Sequence, residues 1–254
     1  MRMIEVTHGD CENLRHDQFK SALDYVSKKH SNKYKFILKG GKSLLSAIYD
    51  LFSKVWRTEV IPDVWFNSTL VQLYKGKGSI NELDSMRYIH IKADIQKLFG
   101  QIVISAAKDN LIDNMSKFQI ATKPGHRASE HLYVVMSVME LCERNGKAII
   151  MTMYDLKKYF DSENLYDCMS ELVKSNIRGK LYRLIFSMNQ NIRIKVKTAV
   201  DETESEDIGQ GVRQGTVDGA ILSAVNLDNG VKEEFHKHNE SIEDENEDKK
   251  VKKI

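Results

Sequence analysis

The chain has 254 residues and a mass of 29.2 kDa, enough to bury one large core or two small ones. Its 41% hydrophobic and 29% charged composition is ordinary for a soluble globular protein, and no apolar run approaches the length needed to cross a bilayer. The formal net charge of +2 conceals an uneven split: residues 1–200 carry 31 basic and 21 acidic side chains (+10), residues 201–254 carry 7 and 15 (−8), so a basic body suited to phosphate precedes an acidic end.

The N-terminal stretch MRMIEVTHGDCENLRHD holds no apolar signal region and no cleavage-like small-residue site, so an intracellular location, cytoplasm or nucleus, is expected rather than secretion. Cys11, Cys142 and Cys168 are odd in number, far apart and without Cys-x-x-Cys spacing. Free thiols are expected, with no disulfide partner and no zinc site. Proline is scarce, occurring only as Pro62 and Pro124.

In chain order, residues 1–33 are polar apart from an amphipathic stretch around Phe19–Val26. KYKFIL reads as strand-like, and the segment after it places Leu44, Leu45, Ile48, Leu51, Phe52 and Val55 at helical spacing. Pro62 closes that unit, and WFNSTLVQLYKGKGS reads as a strand running into a glycine-lysine turn. A longer helix follows, with Ile95, Leu98, Phe99, Ile102, Val103, Ala106 and Leu111 on one face. Ser129 is placed to cap another helix, with Leu132, Val135, Met136 and Met139 along it, stopping near Gly146.

KAIIMTMYDL is a short apolar run with β-branched residues, expected to be a buried strand that ends in an acid. Asp161 or Ser162 then opens a helix with Leu165, Cys168, Met169, Leu172 and Val173 inward. NIRIKVKTAV alternates strictly, and a polar DETESED turn before a second short strand at Ile208 makes a hairpin. The last stretch, ESIEDENEDKKVKKI, has almost no apolar content and is expected to be disordered. Helices mixed with hairpins, without regular strand–helix alternation or an internal repeat, indicate an α+β fold.

Several segments carry candidate chemistry. GGKS at 40–43 sits in strand–loop–helix context, but the first glycine of a phosphate-binding loop would fall at Phe36, so an ordinary helix N-terminus is preferred. Asp155, at the end of a buried strand and before a turn, is well placed to hold a divalent metal; a polar strand end is the equal alternative. Asp161 reads better as a helix cap. GQGVRQGTVDG lets backbone approach a ligand closely, and its glutamine amides both donate and accept; alone, it reads as a glycine-rich hairpin end. The lysines of LYKGKGS, with Arg87 beyond them, suit phosphate, although solvated turn lysines are commoner. His236 and His238 lie beside a charged tail that lacks the surroundings to orient metal ligands.

Five of these segments occur in one order that resembles the reverse transcriptases of non-LTR retrotransposons. IPDVWFNSTLVQLYKGKGS looks like the family's Ile-Pro-x-x-Trp … Tyr-Lys-Gly-Lys-Gly stretch, and SMRYIHIKADIQKLF resembles its Asn-Tyr-Arg-Pro-Ile segment with the following helix. FQIATKPGHRASEH is similar to Gln-Phe-Gly-Phe-x-Pro-Gly-Arg-Ser, YDLKKYFDS to the first palm motif, and GVRQGTVDGAIL to the second. The resemblance covers about Gly40 to Val231.

It implies an incomplete right-hand polymerase of fingers and palm, divided as a 1–60 N-terminal helical extension, 61–147 fingers, 148–231 partial palm and a 232–254 charged tail. It also implies RNA-directed DNA polymerisation, in which a primer 3′-hydroxyl attacks a dNTP α-phosphate between two Mg²⁺ ions about 3.5–4 Å apart. The implied partners are an RNA template, a DNA primer and dNTP. Asp155 takes the place of the first metal-binding aspartate, with the Leu156 carbonyl as a further ligand. Phe160 takes the steric-gate position with Tyr159 beside it, and Gln214 and Gly215 shape the nucleotide pocket. Arg87, Lys75 and Lys77 face triphosphate or template.

The sequence departs from the family at Tyr88, which replaces a proline, and at Gly219-Ala220, which replaces Ser-Pro. More consequentially, it contains no Asp-Asp pair, so the family's Tyr-x-Asp-Asp motif is missing. One carboxylate and one carbonyl cannot hold two Mg²⁺ ions, and the chain alone is expected not to polymerise. The alternative is a non-catalytic nucleic-acid-binding remnant.

Overall fold

The computed structural model describes residues 13–30, 34–198 and 201–233; the charged tail from 234 on and the His236/His238 pair lie outside them, while 232–233 are helical. The chain opens with α1 (His16–His30), α2 (Lys35–Lys39) and α3 (Gly41–Thr58). Phe19, Ala22 and Val26 recur at helical spacing on α1 and are buried, as are Ile48, Phe52, Val55 and Trp56 on α3. α3 ends at Glu59, whose left-handed backbone (φ 59°) lets its N–H donate back to the Val55 carbonyl at 2.8 Å. The Glu59 carboxylate receives two hydrogen bonds, at 2.5 and 2.8 Å, from Arg183 on a later helix. KYKFIL is corrected here: it turns as α2, with Ile37 inward and Phe36 78% exposed, and no strand lies alongside it among the described residues.

Pro62 breaks the helical run, a 3₁₀ turn over Asp63–Phe66 follows, and β1 (Asn67–Tyr74) begins. β1 pairs antiparallel with β2 (Met86–Ile91), in register from Thr69↔Ile91 to Tyr74↔Met86. On its other side β1 pairs in parallel with β3 (Arg193–Lys197), and β3 pairs with the short β4 (Glu206–Asp207), giving the order β2-β1-β3-β4. Between β2 and β3 run α4 (Asp94–Asn114), α5 (Ala128–Arg144), α6 (Tyr159–Ser162), α7 (Leu165–Lys174) and α8 (Gly179–Asn189). A final helix, α9, spans 217–233. The fold is α+β with a mixed sheet, and its helical core forms where α4 packs on α1 and α8, and α8 on α7.

At the centre, Phe52 lies 5.3 Å from Phe99 and 6.1 Å from Trp65, and Trp65 lies 5.4 Å from Phe99 (ring centroids), at tilted to edge-on angles. This cluster ties α3 and α4 to the turn that launches β1. The expected periodicity of α4 holds, with Leu98, Phe99, Ile102, Val103 and Leu111 all buried.

The middle of the chain corrects the sequence reading. α5 forms, capped by Arg127 rather than Ser129 and ending beside Gly146, but none of its residues is buried. The run KAIIMTMYDL forms no strand: 147–156 lie in no helix or strand, and Ile150, Met153 and Tyr154 are 94%, 85% and 89% exposed. A β-branched sequence becomes a strand only beside another strand, and none pairs with it among the described residues. Asp155 therefore stands on an exposed loop, not at a buried strand end. Beyond it, Asp161 and Ser162 sit inside α6, and Asn164 caps α7 by accepting from the Tyr166 N–H at 2.8 Å.

Two glycines give opposite expectations. A Cβ on Gly219 would sit 2.0 Å from the Arg213 carbonyl oxygen, whereas one on Gly230, exposed in α9, would meet nothing within 4 Å. Gly219→Ala is expected to cost at least about 1–3 kcal/mol. Gly230→Ala is expected to stabilise by up to about 1 kcal/mol. Thermal melts followed by circular dichroism should move in opposite directions, by about 2–4 °C per kcal/mol.

Candidate functional site

Three chain segments converge on a groove of about 440 Å³. The β1–β2 hairpin contributes Lys75, Lys77, Asp84 and Arg87; the 155–161 segment contributes Asp155, Leu156, Tyr159 and Phe160; the loop before α9 contributes Gln214. Every site residue that the family resemblance assigns lines this groove except Gly215, which is the next residue after Gln214. Gly215 has φ +89°, and a Cβ there would approach the Ile89 side chain to 2.8 Å, so glycine alone lets the loop lie this close to β2.

Backbone hydrogen bonds hold the segments together. The Val212 N–H donates to the Phe160 carbonyl at 2.8 Å, and the Gly211 N–H to the Glu163 carbonyl at 2.9 Å. On the opposite side, the His90 N–H donates to the Gln214 carbonyl at 3.1 Å. The Gln-Gly loop is thus fixed between β2 and the α6 turn. Tyr159 and Phe160 are half-buried, their ring centroids 6.3 Å apart, and the Tyr159 hydroxyl donates to the Ser223 carbonyl at 3.3 Å. Burial, followed by nearby Glu163, raises the Tyr159 phenol so that it stays a hydrogen-bond donor. Glu163 itself is buried and accepts from Asn226 at 3.1 Å and from the Ser223 hydroxyl.

Asp84 spans the groove. Its carboxylate lies 2.7 Å from Lys158 Nζ and 3.7 Å from Lys157 Nζ, while its backbone carbonyl accepts from Lys75 Nζ at 2.8 Å. The Lys158 hydrogen bond, then its charge, holds the Asp84 carboxyl below the usual carboxylate range, and Asp84 raises Lys158 in return. Lys158 has φ +53°, a left-handed conformation that aims the chain out of the 155–157 loop into α6.

Beneath the loop lies a buried charge cluster that the sequence reading missed. Lys92 Nζ meets the Asp218 carboxylate at 2.9 Å with both side chains 4% exposed, and Arg213 lies 3.6 Å from the same carboxylate. Arg213 also donates to the Met188 carbonyl and, at 3.3 Å, to Asn189 Oδ1. Burial alone would raise the Asp218 carboxyl; Lys92 and then Arg213 outweigh it and hold it far below the carboxylate range. Burial lowers Lys92 to about 8 against the upward pull of Asp218. It lowers His90 to about 4, with Arg213 and Lys92 adding to the effect. Thr216 caps α9 by accepting from the Gly219 N–H at 3.1 Å. The sequence signal was present: Asp218 interrupts the apolar run around VDGAIL, where a charge needs a buried partner.

Three carboxylates line the groove, those of Asp84, Asp155 and Asp161. Asp155 is exposed, Asp84 is engaged by two lysines, and no group of three His, Cys, Asp or Glu side chains comes together among the described residues. The groove carries a cationic excess: Lys75, Lys77, Arg87, Lys157 and Lys158 stand with these three aspartates around a half-buried aromatic pair. Elsewhere, GGKS begins α3 as a plain helix start, and no helix is long and apolar enough to cross a membrane among the described residues.

Two outcomes follow for the buried cluster. Asp218→Asn leaves Lys92 and Arg213 facing each other without a counter-charge, and is expected to cost about 3–5 kcal/mol in urea denaturation. Lys92→Met, which leaves Asp218 with Arg213, should cost less. For pH, the unfolded chain protonates His90 near 6.5, but the folded chain resists protonation until about 4. The His90 contribution to stability is therefore full above pH 6.5 and falls by about 3 kcal/mol as pH drops toward 4. His90→Asn should flatten that slope.

No family model matches the chain, and no curated protein matches it.

Proposed function

We propose that the chain is a fingers-and-partial-palm fragment of a non-LTR reverse transcriptase, and that its groove binds the phosphates of a nucleotide or of a primer–template without joining them. What supports this reading most is the convergence in the groove. Residues from three segments between Lys75 and Gln214, selected by their resemblance to separate polymerase motifs, line one cavity. In this reading Lys75, Lys77 and Arg87 hold phosphate, Tyr159 and Phe160 take the sugar, and Gln214 faces the base.

Asp155, with the Leu156 carbonyl, answers to the family's first metal position, but the family's Asp-Asp pair is missing from the sequence. No metal-dependent step is therefore assigned to this chain. Binding without extension also accommodates the non-catalytic nucleic-acid-binding remnant. dNTP affinity separates the two, because a remnant that uses only the basic surface does not need the Tyr159–Phe160 pair.

Fluorescence anisotropy with a labelled RNA–DNA primer–template and with a labelled dNTP tests the reading. Arg87→Ala and Lys75→Ala should each weaken primer–template binding and reduce its log–log salt slope by about 1. Asp84→Ala, which releases Lys157 and Lys158, should strengthen binding. Primer extension with Mg²⁺ should be absent. Extension that Asp155→Ala abolishes would overturn the inactive assignment, and no binding at low salt would overturn the reading as a whole.

A further inference from the structure

The run 147–155, Lys-Ala-Ile-Ile-Met-Thr-Met-Tyr-Asp, has the composition of a strand, yet no strand pairs with it among the described residues. Among the described residues its one backbone hydrogen bond is from the Lys147 N–H to the Cys142 carbonyl, at 2.9 Å, so the amides and carbonyls of 148–154 are open to pairing. Ile149, Ile150, Met151, Met153 and Tyr154 are all exposed, between 44% and 94%. Lys147 and Asp155, at the two ends, are exposed and make no ion pair among the described residues. Apolar, uncharged between its ends and free of proline and glycine, the segment is a template for edge-to-edge strand addition.

Its order selects the occupant. Laid antiparallel on a second copy about a two-fold axis at Met151, the segment places Lys147 opposite Asp155 and Ala148 opposite Tyr154. Ile149 then faces Met153, Ile150 faces Thr152, and Met151 faces itself. Side chains alternate along a strand, so Lys147, Ile149, Met151, Met153 and Asp155 share one face. In the pair, that face becomes an apolar stripe closed at both ends by opposite charges. A shift of one residue in one strand takes the lysines out of line with the aspartates and moves the axis off Met151. Shape is generic to any strand, but this charge pattern is self-complementary.

We propose that residues 147–155 form a homodimerisation strand, pairing antiparallel with the same segment of a second copy of this chain. The pairing does not depend on the nucleic-acid reading. It uses Asp155 as an ion-pair partner, and so occupies the groove-side acid that the polymerase reading assigns to metal.

Sedimentation velocity of the full chain over a dilution series tests this. A reversible dimer is expected. Lys147→Asp and Asp155→Lys should each raise the dimer Kd by about tenfold or more, because both ends of the pair then carry like charges. The double swap Lys147→Asp/Asp155→Lys should restore association. Met151→Lys, which sets two ammonium groups together on the axis, should give monomer. All residues of the segment are exposed, so the thermal melt of each variant should match that of the parent monomer. Hydrogen exchange should protect alternate amides within 148–154 in the dimer, those that bond across the pair, and release them on dilution. A monomer at every concentration, a dimer indifferent to the single swaps, or a double swap that does not rescue would each overturn the proposal. Protection of 148–154 in the monomer would overturn it too, because the occupant would then be a strand of the same chain.

Discussion

Two buried cations share one buried aspartate, and the arrangement of the site follows from that fact. Lys92 comes from the end of β2, Arg213 from the Gln-Gly loop and Asp218 from the first turn of α9. Three groups that would each be costly to bury alone are tolerable only together. Because Asp218 lies in the first turn of α9, its charge also faces the positive end of the helix dipole. The loop between Arg213 and Asp218 has little freedom left once both ends are pinned, and Gly215 and Gly219 are where its backbone passes closest to its neighbours. Arg213 remains the least satisfied member, with Nε and Nη1 unpartnered among the described residues.

The groove above is built on different terms. Lys77, Lys157 and Lys158 are exposed and Lys75 is partly so, and their interactions are screened by salt and individually weak. Asp84 neutralises part of that charge while linking the hairpin tip to the 157–158 turn. A buried, charge-paired cluster thus lies below and a salt-screened rim above.

Local pattern carried much of the fold. The α3 and α4 stripes, the β3–β4 hairpin and β1 were legible because their periodicity is local and their burial follows it. β2 was hidden inside what read as the approach to a helix, since MRYIHI is strand-like only once Leu70 and Val71 lie opposite His90 and Ile89. α5 and KAIIMTMYDL show the converse: their patterns call for burial, yet nothing in the described chain covers them. In the groove, residue types and motif order marked Arg87, Tyr159, Phe160 and Gln214, but not the Asp84–Lys158 pair, whose members are 74 positions apart. The Lys92–Asp218 pair, 126 positions apart, was beyond any local reading for the same reason.

The parallel pairing of β1 with β3 has a temporal consequence. Asn67 pairs with Arg193, and α4 through α8 lie in the chain between them. As the chain leaves the ribosome, β1 and β2 can close as a hairpin at once, but the other edge of β1 stays open until Lys197 has emerged. At about 5–20 residues per second, that interval is on the order of 10 s. For that time a nascent sheet edge is available to any other strand.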